Sequence, residues 1–235
     1  MGWTASQRVD RPEERHGMKL AAAALVLVFG STAFADLVSN GGFEIYLDTN
    51  NGGTIPTSAF SFSTMSPSDS SLTGWTLGGS GIDLIQMYWV NHGNGHSIDL
   101  ASTGDGSISQ TLTTVVGQIY ELRFWMAGIP TGGPTVKTLD VTLGSTTFTN
   151  VAFDSSSSST GSMGWTEMVF KWTATSTSST LQFTSTSGTN SGPALDDISV
   201  NAVPEPAALA LFGLGLGAGA FGLWRRRVAR RAAAS

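Results

Sequence analysis

The chain has 235 residues, with 17 acidic and 12 basic side chains, three histidines and no cysteine. The lack of cysteine excludes a disulfide scaffold, a Cys-ligated zinc site, an iron–sulfur cluster and a cysteine nucleophile. Only 12% of the residues are charged and 29 are glycine, unlike a helical cytosolic enzyme, whose surface carries far more Lys and Glu.

Residues 1–17 form a mixed polar stretch without an apolar period, read as disordered or as an extension ahead of a true start at Met18. From Met18-Lys19 the chain enters an apolar run, Leu20 to Gly30, that ends in Ser31-Thr32-Ala33-Phe34-Ala35. A short positive region, an apolar stretch and an Ala-x-Ala ending make residues 18–35 a secretory signal peptide, cut between Ala35 and Asp36. A buried core helix is the alternative, disfavoured by the polar Asp36 directly after the small residues.

Residues 36–202 are predicted to be one all-β domain. Short strands are expected at Gly74–Leu77, Ile82–Ile85, Ser97–Leu100 and Ser107–Thr113. Longer ones show period-two alternation. In Gln118–Ala127, Tyr120, Leu122, Phe124 and Met126 face one way, against Glu121, Arg123 and Trp125. Leu139, Val141 and Leu143 alternate with Thr138, Asp140 and Thr142, and Met168, Phe170 and Trp172 with Glu167, Val169 and Lys171. Leu181 with Phe183, and Ile198 with Val200, complete the set. Gly78-Gly79, Gly104-Asp105-Gly106, Gly132-Gly133-Pro134 and Ser187-Gly188 punctuate them, while Asp154 with Ser155–Ser159 reads as a loop. Many short strands with glycine-rich turns indicate a sandwich or jelly roll. The domain carries thirteen acids against three bases, a net charge of −10. That excess repels nucleic acid and anionic lipid.

The tail, residues 203–231, opens with Val203-Pro204-Glu205-Pro206. The charge-free stretch Ala207–Trp224 follows, 18 residues long, and then Arg225, Arg226, Arg227, Arg230 and Arg231; residues 232–235 end the chain. As a helix the apolar stretch is about 27 Å long, just enough for a hydrocarbon core of ~30 Å, and the arginines are expected to stay cytoplasmic. This order resembles the PEP-CTERM sorting signal of Gram-negative bacteria. The resemblance implies secretion machinery and an exosortase-type membrane protease as partners, and a transient inner-membrane form before the protein reaches the cell surface or extracellular space. A plain membrane anchor is the alternative.

A second resemblance rests on Asn40-Gly41-Gly42-Phe43-Glu44, Gly74-Trp75-Thr76, Ser97-Ile98-Asp99-Leu100, Gly133-Pro134-Thr135, Gly164-Trp165 and Gly192-Pro193-Ala194-Leu195-Asp196-Asp197-Ile198. Their order is similar to the choice-of-anchor C family, itself similar to plant cell-wall proteins with galactose-binding-like domains. The implied fold is a galactose-binding-like jelly-roll β-sandwich, and no activity comes with it. In related carbohydrate-binding sandwiches a structural calcium joins the first and last strands. By resemblance that site maps to Glu44 and Asp197, with Asp196 facing away; the alternative has both acids solvated or bonded to backbone amides.

No nucleophile–base pair or defined carboxylate pair stands out, so no catalytic residue is assigned and the domain is expected not to be an enzyme. His92 and His96, separated by Gly93-Asn94-Gly95, are spaced for zinc only on a helix, which the glycines disfavour; a polar loop is expected. Sugar binding needs an aromatic platform beside polar groups. Tyr88 and Trp89, followed by Asn91 and His92, offer one, the alternative being a loop tucked on the core. Trp75, Trp125, Trp165 and Trp172 are expected in the core. The sequence thus suggests an exported, non-catalytic surface or matrix protein that binds polysaccharide, the rival being a purely structural matrix component.

Overall fold

The computed structural model describes residues 35–47, 62–93 and 95–204. Residues 18–34 of the expected signal peptide, Glu205 and Pro206 of the sorting motif, and the apolar stretch and arginines lie outside the described residues. Among the described residues no helix is long and apolar enough to cross a membrane.

The described strands are β1 Phe62–Met65, β2 Thr76–Gly79, β3 Ile82–Ile85, β4 Ser97–Asp99, β5 Gly106–Thr113, β6 Ile119–Gly128, β7 Val136–Leu143, β8 Thr146–Asp154, β9 Thr166–Thr173, β10 Ser178–Ser185 and β11 Pro193–Ala202. They form two antiparallel sheets, ordered β1-β3-β4-β11-β6-β9 and β2-β5-β10-β7-β8. Apart from β3–β4 and β7–β8, consecutive strands lie in opposite sheets, as in a jelly roll.

The alternation in β6 and β7 has the cause inferred from sequence. Successive strand residues point to opposite faces, so Leu122, Phe124 and Met126 of β6 meet Leu139, Val141 and Leu143 of β7 between the sheets, all fully buried. Phe124 packs edge-on against Phe183 of β10, with ring centroids 5.0 Å apart. Tyr120 stacks on Trp172, and Trp75 is buried with its indole N–H donated to the Asn40 carbonyl at 2.9 Å. These two tryptophans are core, as expected.

Two strands were not legible. In β8 the apolar residues Phe148, Val151 and Phe153 break strict alternation, because the β7–β8 register slips between Leu139 and Val141. Asn150 takes a left-handed φ of 56° there, and its N–H donates to Asp140. An extra residue resets the period-two pattern, hiding the strand from a periodicity test. β1 is four residues of mostly polar character at a sheet edge.

The amino-terminal segment closes the sandwich against β11. Leu37 donates to the Val200 carbonyl, the Val200 N–H donates to the Asp36 carboxylate at 2.8 Å, and the Ile198 N–H donates to the Gly41 carbonyl. Gly41 is required by this approach: a Cβ there would collide with the carbonyl of Ile198. At the other end, Val203 still belongs to the domain, its N–H bonded to Ile119 and its carbonyl to Gln118.

Candidate functional site

The outer face of the six-stranded sheet follows from the same alternation. Ile82, Leu84 and Ile98 turn into the core, so Asp83, Ile85, Ser97 and Asp99 point outward. Asp83 of β3 stands directly opposite Asp99 of β4, which stands opposite Ala194 of β11, itself paired with Ala127 of β6. A cleft of about 330 Å³ lies over the edge of this face, bordered by Phe62, Asp83, Tyr88, Asp99, Thr131 and Asn190. The rings of Phe62 and Tyr88 meet edge-on at 5.8 Å, and Phe62 is 44% exposed. The Tyr88 hydroxyl lies 3.3 Å from that of Thr131.

The two carboxyls differ in surroundings. Asp83 accepts the Thr64 hydroxyl at 2.7 Å, and its partial burial pushes its pKa up. Asp99 is only 2% exposed. Its Oδ1 accepts the N–H groups of Ala101 at 3.1 Å and Gly192 at 3.0 Å, and among the described residues no donor reaches Oδ2. Burial first, then the Asp83 charge, holds its pKa well above the usual carboxylate range, against the pull of those N–H groups and of Lys137.

Lys137 is fully buried, at the same inward parity of β7 as Leu139, Val141 and Leu143. Its ammonium donates to the carbonyls of Gly132 and Ser191, both at 2.9 Å. It therefore ties together the two loops that carry Thr131 and Asn190 along the cleft wall. Gly128 leaves room for its stem, since a Cβ there would sit 2.6 Å from the lysine Cγ. Burial lowers the Lys137 pKa, and Asp99 opposes that.

A second cluster lies where the amino-terminal segment meets β11. Nδ1 of His92 is 2.7 Å from Oδ2 of Asp197, and Nδ1 of His96 is 3.0 Å from Oε2 of Glu44. The His96 N–H also donates to Glu44 at 2.7 Å. Asp196, 1% exposed, accepts the N–H groups of His92 at 3.1 Å and Asp197 at 2.8 Å. Burial and the neighbouring Asp197 charge push its pKa up to about 7. The His92 ring stacks on Trp125 at 3.8 Å and 15°, with Trp165 edge-on at 6.3 Å. The loop between β3 and β4 is thus fastened at both of its histidines.

The comparisons with known proteins centre on this domain. A family model described as "Protein of unknown function (DUF642)" matches residues 36–201. The chain belongs to the DUF642 family. Halomucin of Haloquadratum walsbyi is 27% identical over 200 residues, covering 78% of this chain but only 2% of halomucin's length. Among solved structures, a family 61 carbohydrate-binding module in complex with β-1,4-galactotriose is similar at a TM-score of 0.46 and 13% identity, over 72% of this chain and 99% of that one. A family 35 module from Clostridium thermocellum is similar at 0.40 and 16% identity, over 60% and 98%.

In this DUF642 domain the four residues of the expected sugar platform are held unequally. Trp89 is 4% exposed, packs with Ile85, Ala127, Met163 and Ala194, and donates its indole N–H to Ser97 at 2.9 Å. Asn91 donates to the carbonyls of Gln86 and Gly95 and accepts the Ser97 hydroxyl, so its polar groups are used within the loop. His92 is covered by Trp125. Tyr88 lines the cleft, Trp89 borders it with the little surface it leaves open, and Tyr88, Trp89 and Asn91 also share a more open hollow of about 510 Å³ beside Thr160. Trp125 and Trp165, expected in the core, instead flank His92 on the outer face.

Glu44 and Asp197 do share one corner, on either side of Gly42, whose Cβ would lie 3.3 Å from Asp197 Oδ1 and 3.9 Å from Glu44 Cγ. The expected facing of the acid pair is reversed: Asp196 is buried and Asp197 exposed. The cause is a bulge, because the β11–β6 register slips between Asp196 and Ser199, and Asp197 adopts φ 46°. Among the described residues no three His, Asp or Glu side chains come together as a metal cage. The corner's carboxylates and turn carbonyls nonetheless supply the hard oxygens that calcium favours. Sequence reasoning missed Asp83, Asp99 and Phe62 as site residues; the only signal was the outward parity of both aspartates on short strands.

Proposed function

We propose that this DUF642 protein is exported, processed at its tail by an exosortase-type protease, and holds extracellular polysaccharide at the cell surface or in the matrix without acting on it. The observation that carries sugar binding is the outer-face cleft, where exposed Phe62 and half-buried Tyr88 stand beside open carboxyl, hydroxyl and amide groups. Saccharides require this combination, since their C–H faces lie on rings and their hydroxyls need partners. The reading is of binding without catalysis because Asp83 and Asp99 stand side by side on neighbouring strands of one face, whereas the two carboxyls of a glycosidase flank the scissile bond. Export rests on the Ala35–Asp36 junction, and sorting on Val203-Pro204-Glu205-Pro206, the apolar stretch and the arginines. Calcium at Glu44 and Asp197 belongs to the same proposal, as a clasp between the amino-terminal segment and β11.

Affinity electrophoresis of the full-length chain through gels containing a panel of polysaccharides tests the binding. Retardation by at least one is expected, with no release of reducing ends on incubation. Free migration through every gel leaves the structural matrix role instead, and released reducing ends would make the domain an enzyme. Surface material is expected to begin at Asp36 and lack the arginine cluster.

A further inference from the structure

We propose that Asp83 and Asp99 determine which sugars the cleft accepts, selecting neutral or amino sugars and rejecting acidic ones such as uronates and sulfated residues. The inference rests on the polysaccharide-binding reading and names its ligand class.

The argument begins with what the cleft lacks. Asp99 Oδ2 is an acceptor on a side chain 98% removed from solvent, lines the cleft, and receives no hydrogen bond among the described residues. A buried acceptor left without a donor costs about 1–3 kcal/mol, so a ligand bringing a donor there gains what the free protein forgoes. Asp83, opposite it on β3, has one oxygen bonded to Thr64. The pair presents acceptors side by side, an arrangement suited to adjacent hydroxyls or to a hydroxyl beside an ammonium.

Charge then decides the class. Among the described residues the cation close to the pair is Lys137, which does not line the cleft and directs its ammonium to the carbonyls of Gly132 and Ser191. It does not reach into the cleft to receive an anion. A uronate carboxylate or a sulfate would meet no cation among the cleft's lining residues in a domain carrying −10 overall, and an anion brought to such a partly desolvated site without a counter-charge is rejected. The aromatic side adds the stacking surface: Phe62 and Tyr88, perpendicular at 78°, form one corner of the cleft, so one ring can lie under a pyranose while the other borders it.

The experiment uses the full-length chain and four gels, containing β-1,4-galactan, hydroxyethylcellulose, chitosan or polygalacturonate. Retardation by one or more of the first three and none by polygalacturonate is expected; retention on polygalacturonate as strong as on the others would overturn the inference. Comparing chitosan with the two neutral gels separates amino sugar from hydroxyl recognition, and either outcome supports the class. Asp99→Asn keeps an oxygen for Ala101 and Gly192 but turns a donor into the cleft. It is expected to weaken retention by more than about fivefold, the scale of a contact worth more than ~1 kcal/mol, while melting no lower than wild type because a buried repulsion is removed. Asp83→Asn, at a more accessible position, is expected to act in the same direction and serves if Asp99→Asn misfolds. Wild-type retention in both variants would overturn the assignment while polysaccharide binding stands. Free migration of wild type through all four gels would overturn both.

Discussion

The cleft and the histidine-fastened corner lie on the same domain and are built from the same residue types, yet they end in opposite states. At the corner every acid has a partner: Glu44 with His96, Asp197 with His92, and Asp196 with backbone N–H groups. At the cleft Asp99 is as deeply buried but keeps an oxygen open. Buried polar groups are ordinarily satisfied, so the corner has the character of architecture, and the cleft is where the proposed recognition falls. The aromatics divide in the same way. Trp89 has its N–H bonded and its faces packed, whereas Phe62 remains 44% exposed.

The largest effect that separates the two regions comes from Trp89. As a buried ring in the outer-face cluster, Trp89→Ala is expected to cost ~3–5 kcal/mol, the range for a large aromatic removed from a packed site, seen as a large fall in the chemical-denaturation midpoint. Tyr88→Ala, at the cleft edge, is expected to leave stability within about 1 kcal/mol of wild type and to reduce sugar retention. If Trp89→Ala keeps the wild-type midpoint, the indole is a surface platform after all and the division fails.

A second test uses pH. Asp196 has its folded pKa raised to about 7, while in the unfolded chain it titrates near ~3.9. Between those values the folded state holds the proton and the unfolded state does not, so stability falls as pH rises from about 4 to about 7 and is level above that. Three units correspond to roughly 4 kcal/mol. Asp83 and Asp99, also raised, slope the same way. Comparison with Asp196→Asn isolates the one group: the variant is expected to lose that part of the slope in denaturant melts taken across the window. Parallel curves for the two proteins would show that the corner already neutralises Asp196, through its N–H donors or a cation.

These contrasts also show what the sequence could reveal. The sandwich was legible because β6 and β7 follow a strict two-residue period, and buried and exposed faces sort apolar from polar residues. Two of the places where expectation and structure part are bulges. The slip beside Asn150 hid β8, and the slip after Asp196 exchanged the facing of Asp196 and Asp197. The parity of Lys137 with Leu139 points inward, but what holds its ammonium could not be read, because the carbonyls of Gly132 and Ser191 belong to two separate loops. The cleft has the same difficulty. Phe62, Asp83, Asp99, Thr131 and Asn190 come from five distant segments, so no local motif announces them. The Tyr88–Trp89 pair, adjacent in sequence and aromatic, looked like a platform, but neighbours in a tight loop point in different directions, and Trp89 is packed into the outer-face cluster while Tyr88 keeps an open edge on the cleft.

The smallest expected effect concerns calcium, and it tests whether the corner is complete as described. An ion bound only by the folded state stabilises it by mass action, about 1–3 kcal/mol at concentrations ten to a hundred times its dissociation constant. Glu44 and Asp197 are the side chains that would hold it, and both are half-exposed and now face histidines. Added calcium is therefore expected to raise the thermal midpoint by a few degrees, with a chelator reversing the shift. Glu44→Gln and Asp197→Asn should each abolish the response, while Asp83→Asn should keep it, because the cleft lies elsewhere on the outer face. A midpoint unmoved by calcium and chelator alike would remove the ion from the proposal. The two histidine–carboxylate pairs would then be the whole clasp, each worth no more than about 1 kcal/mol as a partly exposed ion pair.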